Sequence, residues 1–174
     1  MIKNAIDPSN GRYCIIGAGP AGLAASRNFK AAGIPFDCFE RQDDLGGNWY
    51  YGSPHSSVYR STHLISSKKL TEFSGFRMPR EYPHYPSHVQ VFDYLRSFAE
   101  HYELYQHISF EKSVEHVRPD EKNGGWQVQL AGETEPRQYA GVVVANGHHW
   151  NPRFPVADRW APHAGRLYVT TMNL

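Results

Sequence analysis

The chain has 174 residues, 40% of them hydrophobic and 14% aromatic, enough apolar material for one packed domain and hardly enough length for two. Lys and Arg number 18 against 17 Asp and Glu, a near-neutral balance that excludes the basic face nucleic acid or an anionic membrane would require. No stretch nears the ~20 apolar residues of a membrane helix, no leader-like apolar run opens the chain, and two cysteines cannot staple a disulfide framework, so a soluble cytoplasmic protein is expected.

Residues 1–11 are polar, with Pro8 and Gly11, and are expected to form a flexible lead-in to a domain over 12–174. The run Arg12-Tyr13-Cys14-Ile15-Ile16, halted by glycine, predicts a buried parallel strand. Residues 20–32 are good helix formers, and Gly33 stands where a helix C-terminal glycine belongs. Residues 34–39 predict a second strand, giving a strand–helix–strand unit of about thirty residues. Cys14 and Cys38 read as buried strand thiols.

Residues 46–86 are rich in Gly, Ser, Pro, Tyr and His and lack periodicity. Unstructured stretches this long are usually functional or disordered. Trp49, Tyr50, Tyr51, Tyr59, Phe73 and Phe76 favour an ordered segment facing a ligand. Ser87-His88-Val89-Gln90 has the form of a capping box, opening a helix that buries Val91, Leu95, Phe98 and Tyr102. Residues 108–110 and 114–117 predict short strands, and Trp126-Gln127-Val128-Gln129-Leu130 alternates as a half-exposed antiparallel strand does. A polar loop over 131–137 turns the chain back, residues 142–145 predict another buried strand, and the tail holding Pro152, Pro155 and Pro162 shows no clear element.

The chemistry concentrates in Gly17-Ala18-Gly19-Pro20-Ala21-Gly22, a G-x-G-x-x-G between a predicted strand and a predicted helix. Gly17 suits a tight turn, Gly19 lets the backbone approach a pyrophosphate, and Gly22 lets helix and strand pack closely. The diphosphate would rest on the helix N-terminus, where free N–H groups and the dipole favour an anion. Glu40 closes the second strand eighteen residues past Gly22, where a carboxylate accepts from a ribose hydroxyl. That carboxylate would repel the 2′-phosphate of NADP, so the motif points to FAD or NAD. Arg41 is placed either near the adenine or simply on the surface.

Glu40-Arg41-Gln42-Asp43-Asp44-Leu45-Gly46-Gly47-Asn48-Trp49 resembles the E-x-x-x-x-x-G-G-x-W signature of flavin-containing monooxygenases and their Baeyer–Villiger relatives. Val58-Tyr59-Arg60-Ser61, Ser66-Ser67-Lys68, Trp126-Gln127-Val128 and Val142-Val143-Val144-Ala145-Asn146-Gly147-His148-His149 extend the likeness over roughly residues 12–155. Independently of it, Gly46 and Gly47 would let the chain pass close to a flavin, and Trp49 offers an aromatic wall. The resemblance implies an α/β Rossmann-like FAD-binding domain with a parallel sheet and a small antiparallel meander. It aligns Gly17, Ala18, Gly19, Pro20, Ala21, Glu40, Asn48, Trp49 and Ser66 with FAD-contacting positions, and Gly22, Arg41, Gly46, Gly47 and Ile65 complete the candidate set.

Three departures from the family accompany the likeness. Ile65 stands where the family places an asparagine near the flavin's reactive carbon. Val169 replaces the histidine of a fingerprint expected over 163–173, in which only Gly165 fits. No second G-x-G-x-x-G is present for NADPH, so the chain resembles the N-terminal flavin half of the family, with the NADPH domain missing.

The family reaction implied is NADPH- and O₂-dependent oxygenation of a nitrogen, sulfur or ketone in a small-molecule substrate, and the chain alone is expected to be inactive. No acid–base or nucleophile constellation marks a catalytic residue, and a homodimer or a partner chain is left open. The alternatives are a non-catalytic FAD- or nucleotide-binding fragment and an NAD-binding reductase subunit. A metal reading of His84 and His88 is disfavoured, because Pro86 and the helix cap keep them off one helical face. His148-His149 reads mainly as structural, and Lys68-Lys69 as a solvated face.

Overall fold

The computed structural model describes residues 11–148. The expectations for residues 1–10, for His149 and for the proline-bearing tail with its fingerprint lie outside the described residues. The elements in order are β1 (Tyr13–Ile16), α1 (Pro20–Ala31), β2 (Phe36–Phe39), α2 (Lys68–Thr71), α3 (His88–His101), β3 (Ile108–Ser109), β4 (Val114–Pro119), β5 (Trp126–Leu130), β6 (Arg137–Tyr139) and β7 (Gly141–Val144). The parallel sheet has the order β3-β2-β1-β7, and a second, antiparallel sheet has the order β4-β5-β6. No helix among the described residues is long and apolar enough to cross a membrane.

β1 reads as a continuous apolar run because both its faces are covered. Tyr13 and Ile15 join the core shared with α1 and α3, while Cys14 packs with Phe39, Val128, Leu130 and Tyr139 on the side of the antiparallel sheet. Cys14 and Cys38 are fully buried, as expected, and belong to different clusters. Burial above all pushes each thiol up to about 12.

The capping box forms: Ser87 N–H donates to Gln90 Oε1 at 3.0 Å, and Gln90 N–H donates to Ser87 Oγ. α3 then buries Val91, Tyr94, Leu95 and Phe98, each worth roughly 1.5–3 kcal/mol of transfer free energy. Tyr102 caps the helix C-terminus and is half-buried. Tyr94 Oη accepts from Phe73 N–H at 2.6 Å and donates to Phe76 O at 2.7 Å. Phe73 and Phe76 therefore pack on α3. Of the aromatics of 46–86 expected to face a ligand, Trp49 lines a cleft, whereas these two rings do not, because Tyr94 and Phe98 supply their packing surface. Lys68 is likewise no solvated side chain: its Nζ donates to Pro79 O, Arg80 O and Tyr82 O at 3.0, 2.9 and 2.6 Å, holding that loop together.

Strand β6 starts at Arg137, the last residue of the stretch expected to be loop, and completes the meander. The buried Asp120 organises that sheet by accepting from Lys122 N–H, Asn123 N–H, Asn123 Nδ2, Gln127 Nε2 and Gln138 Nε2 at 2.8–3.2 Å. These donors, Asn123 foremost, hold its carboxyl down to about 2. Tyr139 joins the two sheets, its hydroxyl donating to Asp37 Oδ2 at 2.9 Å, while Arg12 Nη1 donates to Asp37 Oδ1 at 2.9 Å.

Candidate functional site

A cleft of 540 Å³ opens beyond the carboxyl ends of β1, β2 and β7. This is where parallel α/β sheets bind ligands, since the strand ends carry the loops and helix N-termini. One wall is the turn from β1 into α1, and the opposite walls are the segments after β2, before β4 and after β7.

The three glycines of the first motif have separable reasons. At Gly22 a Cβ would stand 1.8 Å from Gly17 O, so only a bare Cα lets α1 sit against the turn. Gly17 has φ 98°, and a Cβ there would meet Ala145 O at 2.6 Å. Gly19 differs from both: its backbone is extended, and the nearest atom to an added Cβ is Gly47 Cα at 3.7 Å, an ordinary contact. Among the described residues, nothing demands a glycine at position 19. Its place on the cleft wall beside Pro20 and Ala21, at a helix end with no side-chain cap and no acidic residue in the first turn, leaves room and polarity for an anion.

Glu40 is 5% exposed and lines the cleft. Its Oε2 accepts from Ala18 N–H at 2.7 Å and its Oε1 from Gln42 N–H at 3.0 Å. Each oxygen keeps a second lone pair, so the carboxylate can brace the glycine loop and still accept from a ligand hydroxyl. Gly46 N–H donates to Ala18 O at 3.0 Å, which leaves the Ala18 residue held at both its N–H and its C=O.

Of the sequence-derived candidates, Gly17, Gly19, Pro20, Ala21, Glu40, Arg41, Gly47, Asn48 and Trp49 line the cleft. Ala18, Gly22 and Gly46 stand behind its walls, Gly22 and Gly46 as points of close approach. Asn48 spends its side-chain oxygen on Ser57 N–H at 2.7 Å, fixing the short 3₁₀ turn Gly47–Trp49 to the following loop. Ile65 and Ser66 are not on the cleft wall: Ile65 is 99% exposed, and Ser66 Oγ bonds Thr71 Oγ1 at 2.7 Å.

The structure adds Gln42, His55, Lys112, Ser113 and Glu115 to the cleft. Gln42 is 7% exposed, and its Oε1 is buried without a hydrogen-bond partner among the described residues, an uncommon state that calls for a further donor. Its only signal in the sequence was its nearness to Glu40. Lys112 and Ser113 carried none, because they arrive through tertiary pairing, with Lys112 N–H donating to Glu40 O at 2.9 Å. His84 precedes α3 and His88 opens it, so they do not share a helical face.

Comparison with known proteins agrees with this geometry. A model of the flavin-binding monooxygenase-like family matches residues 10–161. The chain is 35% identical over 154 residues to flavin-containing monooxygenase 5 of Oryctolagus cuniculus, and 34% identical to dimethylaniline monooxygenase [N-oxide-forming] 2 of Mus musculus. Each alignment covers 83% of this chain and 29% of the relative. The structure of S-allyl-L-cysteine S-oxygenase from Allium sativum superimposes with a TM-score of 0.75 at 28% identity, over 84% of this chain and 38% of that one. OTEMO, solved with FAD and NADP, shares the fold at 23% identity, with a TM-score of 0.73 over 83% of this chain and 27% of that one. This chain thus spans less than a third of the length of the curated relatives it matches. By sequence and by fold, it belongs to the flavin-binding monooxygenase-like family.

Proposed function

We propose that this chain supplies the FAD-binding part of a flavin-dependent monooxygenase. The observation that carries the reading is the convergence, in one cleft, of an uncapped helix N-terminus, a glycine at 19 that its described neighbours do not need, and the Glu40 carboxylate. The residues present fit the cofactor. A Cβ at Gly19 would stand in space no other described residue contests, and the orphaned Gln42 Oε1 waits for a donor.

In this reading the α1 N-terminus holds the diphosphate between Gly19 and Ala21, and Glu40 accepts from the ribose. Gly47, Asn48 and Trp49 form the wall along which the flavin extends. Bound FAD would supply the redox and oxygen chemistry, as flavins do. The chain's own residues bind it and orient it, with the turn at Asn48 held in place by Ser57 N–H. Ile65 and Ser66, placed away from the wall, take no part in this proposal.

Oxygenation of a small molecule at nitrogen, sulfur or a ketone is the whole family's work, and we extend it to this chain only as part of a longer or assembled protein. The relatives' names support the nitrogen and sulfur chemistry. The cytoplasm is the proposed compartment, supported by two free thiols held in the core. The test is a titration of the purified chain with FAD, followed by NADPH under nitrogen. Saturable quenching of flavin fluorescence is the expected result, with slow or no bleaching of the visible band. A chain that binds no FAD but binds NAD would select the reductase-subunit reading instead.

A further inference from the structure

Helix α3 takes no direct part in lining the cleft, yet it grips the segment that does. Its core-facing residues are Val91, Tyr94, Leu95, Phe98 and Ala99, and Phe92 lies off that face, half-buried. The Phe92 ring stacks on Tyr50 with centroids 5.2 Å apart and planes 5° from parallel. One helical turn on, Arg96 sets its guanidinium 4.8 Å from the same ring and pairs through Nε, at 2.9 Å, and Nη2 with Asp44 Oδ2. The chain between Asp44 and Tyr50 is therefore tied to α3 at both ends.

The ring also abuts the middle of that segment. A Cβ on Gly46 would stand 2.7 Å from Phe92 Cε2, so the glycine and the aromatic edge are fitted to each other. From Gly46 the contact passes to the cleft by two routes. Gly46 N–H donates to Ala18 O at 3.0 Å, and Gly47 lies so near Gly19 that a Cβ on it would stand 3.2 Å from Gly19 Cα. The Phe92 ring, the turn and the glycine loop thus form one run of close contacts, through which the ring's position bears on the turn.

We propose that Phe92 is a positioning residue for the cofactor: its ring sets the separation of the Gly47–Trp49 turn from the Gly17–Ala21 loop, and with it the fit of the diphosphate. The proposal rests on the reading that the cleft holds FAD. Removing the ring deletes no binding group but lets the turn relax, and misplacement of this kind lowers affinity.

The test compares Phe92→Ala, Phe92→Leu and Phe92→Tyr with Phe98→Leu, a core change on the same helix whose ring neighbours are Phe73, Phe76 and Tyr102. FAD dissociation constants are measured by flavin fluorescence on folded protein, and visible circular dichroism of the bound flavin reports its surroundings. Phe92→Ala should weaken FAD on the order of tenfold and alter the dichroism, and Phe92→Tyr should restore both. Phe98→Leu should lower the melting temperature and leave both readouts alone. Equal affinity and dichroism for Phe92→Ala and the parent overturn the proposal, as does an equal loss in Phe98→Leu. If Phe92→Ala does not fold, Phe92→Leu, which keeps bulk but not the stack, is judged by the same criteria. A parent chain that binds no FAD at all overturns the functional reading on which the proposal stands, a result distinct from a normal parent with an unaltered variant.

Discussion

The two sheets solve opposite problems. In the antiparallel sheet the hydrogen bonds close on themselves: Asp120 takes five donors from its own turn and from β5 and β6, and that network is directed inward. At the carboxyl edge of the parallel sheet they are left open, with α1 uncapped and Gln42 Oε1 orphaned beside Glu40. The open groups thus gather at the parallel sheet's edge, to which β4 adds Glu115, and the Tyr139–Asp37–Arg12 contact is a polar tie across the seam between the sheets.

That division is most sharply tested within the glycine motif itself. Gly22→Ala places a methyl 1.8 Å from Gly17 O and should destabilise the chain by about 3 kcal/mol or more, or prevent folding, as urea titration would register. Gly19→Ala should stay within about 1 kcal/mol of the parent by the same titration. Gly19→Val should fold and purify without flavin, because its branches fill the space reserved for the diphosphate. Comparable destabilisation at positions 19 and 22 would erase the distinction between a glycine kept for the fold and one kept for a ligand.

Glu40 belongs to both categories, so its variants should split. Glu40→Ala should cost about 1.5–3 kcal/mol of FAD affinity, the scale of a hydrogen bond to a charged group. Glu40→Gln keeps one acceptor but sets an amide against a backbone N–H, and should fall between Glu40→Ala and the parent in a fluorescence titration. An unchanged dissociation constant in Glu40→Ala would remove the ribose from its partners.

The closed sheet should respond to acid instead. The carboxyl of Asp120 is held at about 2, below its ordinary 3.8. Its stabilising contribution is therefore complete above about pH 4 and fades as the pH falls toward 2. The melting-temperature gap between the parent and Asp120→Asn should be constant from pH 7 to 5 and narrow below 4, while FAD affinity at neutral pH stays unchanged. The smallest effect belongs to the seam: Tyr139→Phe loses one bond to Asp37, which Arg12 still holds, and should cost about 1 kcal/mol of stability.

The parallel half was the more legible in sequence, and for a physical reason. Strand, glycine turn, helix and capping box are local devices, so Gly17, Gly22, Ser87 and Gln90 declare themselves by spacing alone. β6 did not, because Arg137-Gln138-Tyr139 is a three-residue strand with one buried side chain, too short to show a period. The far wall of the cleft at Lys112 and Ser113 is assembled by pairing across the fold, which no local pattern encodes. Ile65 is the converse case. Likeness to the family put it beside the flavin, whereas its neighbour Leu64 takes the buried position and Ile65 points to solvent.

The doubly held Ala18 has a consequence for the rhythm of binding. Its N–H is bonded to Glu40 and its C=O to Gly46, both within the chain itself, so the loop that meets the diphosphate is shaped by the fold. The entropy of ordering that loop is then lost during folding and not during capture. Amide protons of Ala18 and Gly46 should exchange slowly with deuterium in the flavin-free chain and change little when flavin arrives, as in a socket cast before its plug.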